Sequence, residues 1–204
     1  MPGADAVTDV VLEDWTRLCG ALGEAAFTRA NKWAGAMVTG VPAATLNCVF
    51  AARPDAPAHE VEGLLRLVAE TGLAHCLQLR PGSAADLAAL PLEHGMTAQA
   101  PIPLMAVEAG DATSLERAAA SQLSVRLLAP DEAPLHAALL AAGFEAPQQL
   151  FEQLITPGVL AMPTARCYVG SVEGATVATA PGLRAGGSVG AAHLATQPRP
   201  RRHA

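Results

Sequence analysis

The chain has 204 residues, of which 51% are hydrophobic, 16% charged and only 3% aromatic. That length suits one large domain or two small ones, and the scarcity of rings leaves the core to Leu, Val and Ala. The formal net charge of −6 excludes a general nucleic-acid binder, which would present a basic face.

Leu12, Trp15, Cys19, Leu22 and Ala26 recur at helical spacing and predict a first helix from about Thr8 to Asn31. Met1 to Asp14 carries acids and no basic start, so no secretory signal is read there. The uncharged run 34–52 is almost long enough to span a bilayer, but Gly35, Gly40, Pro42 and Asn47 interrupt it. It reads instead as two strands, 37–40 and 45–53, with a turn at Gly40-Val41-Pro42, and no membrane association is expected. Over 58–72, Val61, Leu64, Leu65 and Val68 form one apolar face, which predicts an amphipathic helix closed by Gly72. A strand follows at 74–80. Ser83 and Asp86 have the spacing of a capping box, ahead of a helix that Pro91 should kink or shorten and that Gly95 closes. Residues 100–109 read as a strand that tolerates Pro101 and Pro103 only near its start or at an edge.

Small and polar residues over 110–122 mark a domain boundary, after which the pattern restarts. A strand is expected at 123–130, then a helix capped by Asp131 and ending at Gly143, then a short helix opened by Pro147. Strands follow at 165–174 and 175–187 with Glu173-Gly174 as a hairpin turn, and 188–196 is the final strand. The expected organisation is therefore a first half over 1–112, a second over 123–196, and a disordered basic tail over 197–204. Glu173 is the last acid; Arg184, Arg199, Arg201 and Arg202 follow it.

Cys19, Cys48, Cys76 and Cys167 show no metal or redox spacing and read as reduced core thiols of a cytoplasmic protein. The six histidines show no metal spacing either, so no metal site is expected. "GGSVG" (186–190) matches a hydrolase nucleophile elbow, but no acid follows Ser188, and a turn between strands is the better reading. Tyr168, the only tyrosine, reads as core or sheet surface, and Glu173 as a solvated turn residue.

The order strand, helix, helix and a three-stranded meander, with "RCYVGSVEGATVATAPGLRAGGSVGAAHLAT" (166–196), resembles the opening half of the GNAT superfamily, the acetyl-CoA-dependent N-acetyltransferases. The first half follows the order of the closing half of such a domain, in the manner of a degenerate acetyltransferase-like repeat. The resemblance implies an α/β (α+β) fold with a mixed, mostly antiparallel sheet flanked by helices. It implies acetyl transfer from acetyl-CoA to an amine of a small molecule or peptide, in a protein that can pair as a homodimer. It places Leu194, Ala195 and Thr196 beside the pantetheine arm of the cofactor and assigns no catalytic residue. In the family a glycine-rich loop and a helix follow that strand, where convergent N–H groups hold the pyrophosphate. Here "QPRPRRHA" stands in that place, and the first half's own strand-to-helix loop, "AARPDAPAHE", lacks glycine. The expectation is a truncated cofactor site with weak or no acetyl-CoA binding; the alternative is a non-catalytic acetyltransferase-like interaction module.

Overall fold

A computed structural model describes residues 4–103, 105–107, 123–185, 187–191 and 193–198, which fall into two compact units divided between Glu108 and Ala109. In the first unit, helix α1 covers Ala4–Leu22 and is shorter than its apolar spacing predicts. Gly23 adopts a left-handed φ of 102° and stops it. Phe27–Ala30 then forms strand β1, where a continued helix was expected. Strands β2 (Ala34–Val38) and β3 (Asn47–Ala51) are buried at every position, which is why that stretch carries no charge.

Successive side chains of these strands face opposite layers. Ala34, Ala36, Val38, Val49 and Ala51 pack with Val61, Leu65 and Val68 of α2 (Ala58–Ala69) and with Leu87 and Leu90 of α3 (Ala85–Glu93). Met37 and Cys48 face the other way, toward Cys19 of α1. Asn47, which argued against a membrane span, is fully buried and anchors the β2–β3 connection. Its amide donates to the carbonyls of Val41 (2.7 Å), Ala43 and Ala74 (3.2 Å each), and its Oδ1 accepts from the Thr39 N–H at 3.1 Å. Strand β4 (Cys76–Gln78) pairs in parallel with β3 after the α2 crossover, giving the order β1-β2-β3-β4.

Two local expectations fail in this unit. Ser83 does not cap α3; its hydroxyl donates to the Arg80 carbonyl at 2.8 Å. No described residue of 100–109 belongs to a strand, and Ile102 and Met105 are exposed. Pro101 and Pro103 lack the N–H that a ladder requires.

The second unit contains strand β5 (Leu123–Leu127), helices α4 (Ala133–Phe144), α5 (Gln148–Leu154) and α6 (Pro157–Leu160), and strands β6 (Ala165–Val172) and β7 (Ala175–Ala185). Strands β8 (Ser188–Ala191) and β9 (Ala195–Thr196) complete an antiparallel sheet of order β5-β6-β7-β8, with β9 also on β7. The expected cap at Asp131 is replaced by a 3-10 turn over Pro130–Glu132. There Glu132 accepts from the Ala129 N–H at 2.9 Å and from both terminal nitrogens of Arg126, at 2.8 and 2.6 Å. Glu173 and Gly174 both take positive φ, 50° and 81°, and close the β6–β7 hairpin in two residues. Helix α6 is short enough to escape the helical period, and Thr156 caps it by accepting from the Val159 N–H at 3.2 Å. Gln197, the first residue of the expected basic tail, donates its N–H to Val177 O at 2.8 Å; residues 199–204 of that tail lie outside the described residues.

All described strand pairs lie within one unit or the other. Together they make a mixed α/β architecture of largely antiparallel sheets flanked by helices.

Candidate functional site

The last strand does not run unbroken over 188–196. Gly182 pairs with Ala191 and Thr179 with Ala195, so the final strand advances one residue further than β7 between those two pairs. His193, inside that interval, has a left-handed φ of 55°. The extra residue is a bulge that separates β8 from β9 and turns the chain around His193.

Beside this break lies a shallow groove of about 250 Å³ on the open face of the sheet. Its floor is made of small residues, Gly170, Ala178 and Ala180, while Leu123 and Val125 rise on one side and Leu194 on the other. The register explains the shape: Val125 pairs with Gly170, Gly170 with Ala178 and Ala178 with Thr196, so these side chains share one face. A Cβ on Gly170 would stand 3.0 Å from Leu123 Cδ1, so glycine keeps the trough open there. Tyr168 lines the groove at 42% exposure and is the only ionisable residue among the described residues that do.

The opposite face holds the strands rigidly against α4. Leu139 packs with Leu128, Cys167 and Val169. Gly143 lets the helix approach Ala195 so closely that a Cβ there would lie 2.6 Å from Ala195 Cβ. His136 is fully buried, with Nδ1 2.6 Å from Thr179 Oγ1. Thr179 already donates its proton to Tyr168 O at 3.1 Å. The ring must therefore donate from Nδ1, which leaves Nε2 a bare acceptor with no partner among the described residues. Burial, and secondly nearby His193, push the His136 pKa down to about 4, so the ring is neutral; burial lowers that of His193 as well. The chain α4–His136–Thr179–Tyr168 O thus clamps β6 and β7 next to the β9 pair.

Leu194, Ala195 and Thr196 all border the groove. Leu194 is 60% exposed at its rim, while Ala195 is buried against the helix side. Tyr168 falls on the sheet surface, as one of its two sequence readings has it, and on the groove itself, which that reading missed. Ser188 simply opens β8, paired with Ala185. Leu123, Val125, Gly170, Ala178 and Ala180 carried no sequence signal as a set. The alternation within each strand was visible, but which residues stand opposite each other depends on register and on the irregularity between Gly170 and Ser171.

Past β9, Gln197 uses its N–H on Val177 and Pro198 has none, so these two residues offer no anion cradle. In the first unit the corresponding loop holds its own cation in ion pairs. Arg53 pairs with Asp5 at 3.7 Å and Asp9 at 3.3 Å, and Pro57 stands at the start of α2. Among the described residues no helix is long and apolar enough to cross a membrane, and no cluster of three or more metal-ligating side chains occurs.

No protein-family model matches the chain, and no curated protein does. Among solved structures it is similar to a GCN5-related N-acetyltransferase from Kribbella flavida, with a TM-score of 0.67 and 21% sequence identity. The fold is that of a GCN5-related N-acetyltransferase. The alignment covers 99% of this chain and 76% of the other, so the likeness of fold extends over both units.

Proposed function

We propose that the second unit binds the pantetheine arm of acetyl-CoA along β9 and supports acetyl transfer to an amine on a small molecule or peptide. The observation that carries this reading is the bulge at His193 beside an apolar groove bordered by Leu194, Ala195 and Thr196. When bound, acetyl-CoA supplies an acyl group already activated as a thioester. The chain's part is to hold and orient. The Gly170-Ala178-Ala180 floor leaves width for a narrow unbranched arm, and Leu123, Val125 and Leu194 exclude water from its sides. The bulge turns backbone groups away from ladder geometry, where N–H donors can face a carbonyl. The Tyr168 hydroxyl is the one ionisable side-chain group among the described residues that line the groove, suited to hydrogen-bonding an incoming amine or the departing thiol. The four cysteines, all free thiols, suit a reducing cytoplasmic setting.

Titration with acetyl-CoA, followed by backbone NMR, tests the reading. Shifts should concentrate at residues 178–180 and 194–196, and pantetheine alone should reproduce part of them. Saturating millimolar acetyl-CoA that moves none of these signals would sink the proposal. A non-catalytic, acetyltransferase-like interaction module is favoured by one observation: no acid or histidine lines the described groove. Binding without acetyl release across a panel of amines would select that second reading.

A further inference from the structure

We infer that Cys48 and Cys76 form a redox-active dithiol, which a small-molecule disulfide converts to a disulfide joining β3 to β4. The two residues are directly paired in the parallel β3–β4 ladder. Aligned residues of adjacent strands stand about 4.8 Å apart with side chains on the same face, inside the range of Cα separations that a disulfide spans. Cys76 packs against the same cluster as Cys48, so the two thiols face each other on one side of the sheet. Gln78, two residues along β4 and therefore on the same face, points its amide at Cys48 Sγ at 3.6 Å. Cys19 and Met37 complete a sulfur-rich cluster with Cys48 beneath α1.

The two thiols are not equivalent. Cys48 is fully buried, while Cys76 is half-buried on the last strand of the sheet order, with no described strand on its other side. The facing Cys76 thiol, and with it burial, pushes the Cys48 pKa well up, so Cys48 is the less ready of the two to ionise. Exposure makes Cys76, at the reachable edge of the sheet, the attacking thiolate and the buried Cys48 the resolving one. Cys76 Sγ attacks one sulfur of the small disulfide, forms a mixed disulfide and releases one thiolate. Cys48 then loses its proton and attacks Cys76 Sγ, expelling the second thiolate. Two protein thiols are oxidised by two electrons, one small disulfide is reduced to two thiols, and the two protein protons end on those products. The cross-link fastens β4, a strand of only three residues, to the buried centre of the first sheet.

The test uses the full native chain, incubated with oxidised glutathione, acid-quenched, unfolded and alkylated, then digested with trypsin without reduction. Cleavage after Arg66 places the two cysteines on different peptides. The expected result is a Cys48–Cys76-linked pair, with alkylation only at Cys19 and Cys167. In Cys48→Ser the reaction should stop at one glutathione on Cys76. A wild-type chain that keeps all its thiols, that retains glutathione on Cys76, or that links Cys19 to either partner would overturn the assignment.

Discussion

Gly143 offers the sharpest test of how α4 positions β9. In Gly143→Ala the new Cβ would sit 2.6 Å from Ala195 Cβ and 3.3 Å from Ala195 Cα. Ordinary carbon contacts begin near ~3.5 Å, so helix and strand must separate by about 1 Å. Neither atom belongs to a flexible side chain that could swing aside. Overpacking of this kind costs about 1–3 kcal/mol, against a gain of about 0.5–1 kcal/mol for replacing a helical glycine by alanine. At mid-range the net loss is about 1.3 kcal/mol, and the midpoint of a unit this size should fall by roughly 5–10 °C. Gly63 is the control. It lies within α2, and a Cβ there meets nothing within 4 Å, so Gly63→Ala should raise stability by about 0.5–1 kcal/mol. Calorimetry compares the two variants. Tyrosine emission reports the second unit, because Tyr168 is the only tyrosine and both tryptophans, Trp15 and Trp33, lie in the first. Because β9 borders the groove, Gly143→Ala should also weaken acetyl-CoA binding, by roughly tenfold for each 1.4 kcal/mol of lost contact. A Gly143→Ala chain that gains stability as Gly63→Ala does would refute the close-approach argument.

His136 makes stability depend on pH. Its folded pKa of about 4 lies below the ~6.5 of an unfolded histidine, so the unfolded chain binds more protons between those values. Stability should therefore be complete above about pH 6.5 and decline toward pH 4, by up to about 3 kcal/mol. Asp14, whose carboxyl burial raises to about 6, acts in the opposite sense in the first unit. Urea midpoints at pH 7.5 and 4.5 should thus be compared between wild type and His136→Gln, and equal slopes in both would contradict the assignment. Leu194→Glu should abolish acetyl-CoA binding while changing stability by less than about 0.5 kcal/mol, because the side chain is 60% exposed; unchanged affinity would remove β9 from the site. Tyr168→Phe should leave acetyl-CoA affinity intact and slow amine acetylation by about tenfold, read as kcat against KM, and an unaltered rate would release the hydroxyl from any role.

Local features of this chain were legible in the sequence because their causes are local. The 58–72 stripe required a helix against a core, and Ala58–Ala69 is that helix, with Val61, Leu65 and Val68 buried. Glu173-Gly174 required a tight turn between two β-prone runs, and both residues take the positive φ of one. Leu194, Ala195 and Thr196, which the resemblance to the GNAT superfamily placed beside a pantetheine arm, border an apolar groove whose shape is not local at all. Spacing misled at the first helix: the α1 stripe continues past Leu22, but Gly23 stops the helix and Phe27–Ala30 pairs with β2. Tertiary structure alone set the extra residue at His193 against β7, the contact of Gly143 with Ala195, the burial of His136 on Thr179 and the alignment of Cys48 with Cys76. Each joins residues distant in sequence, and strand register, which a one-residue slip would reverse, is what brings them together.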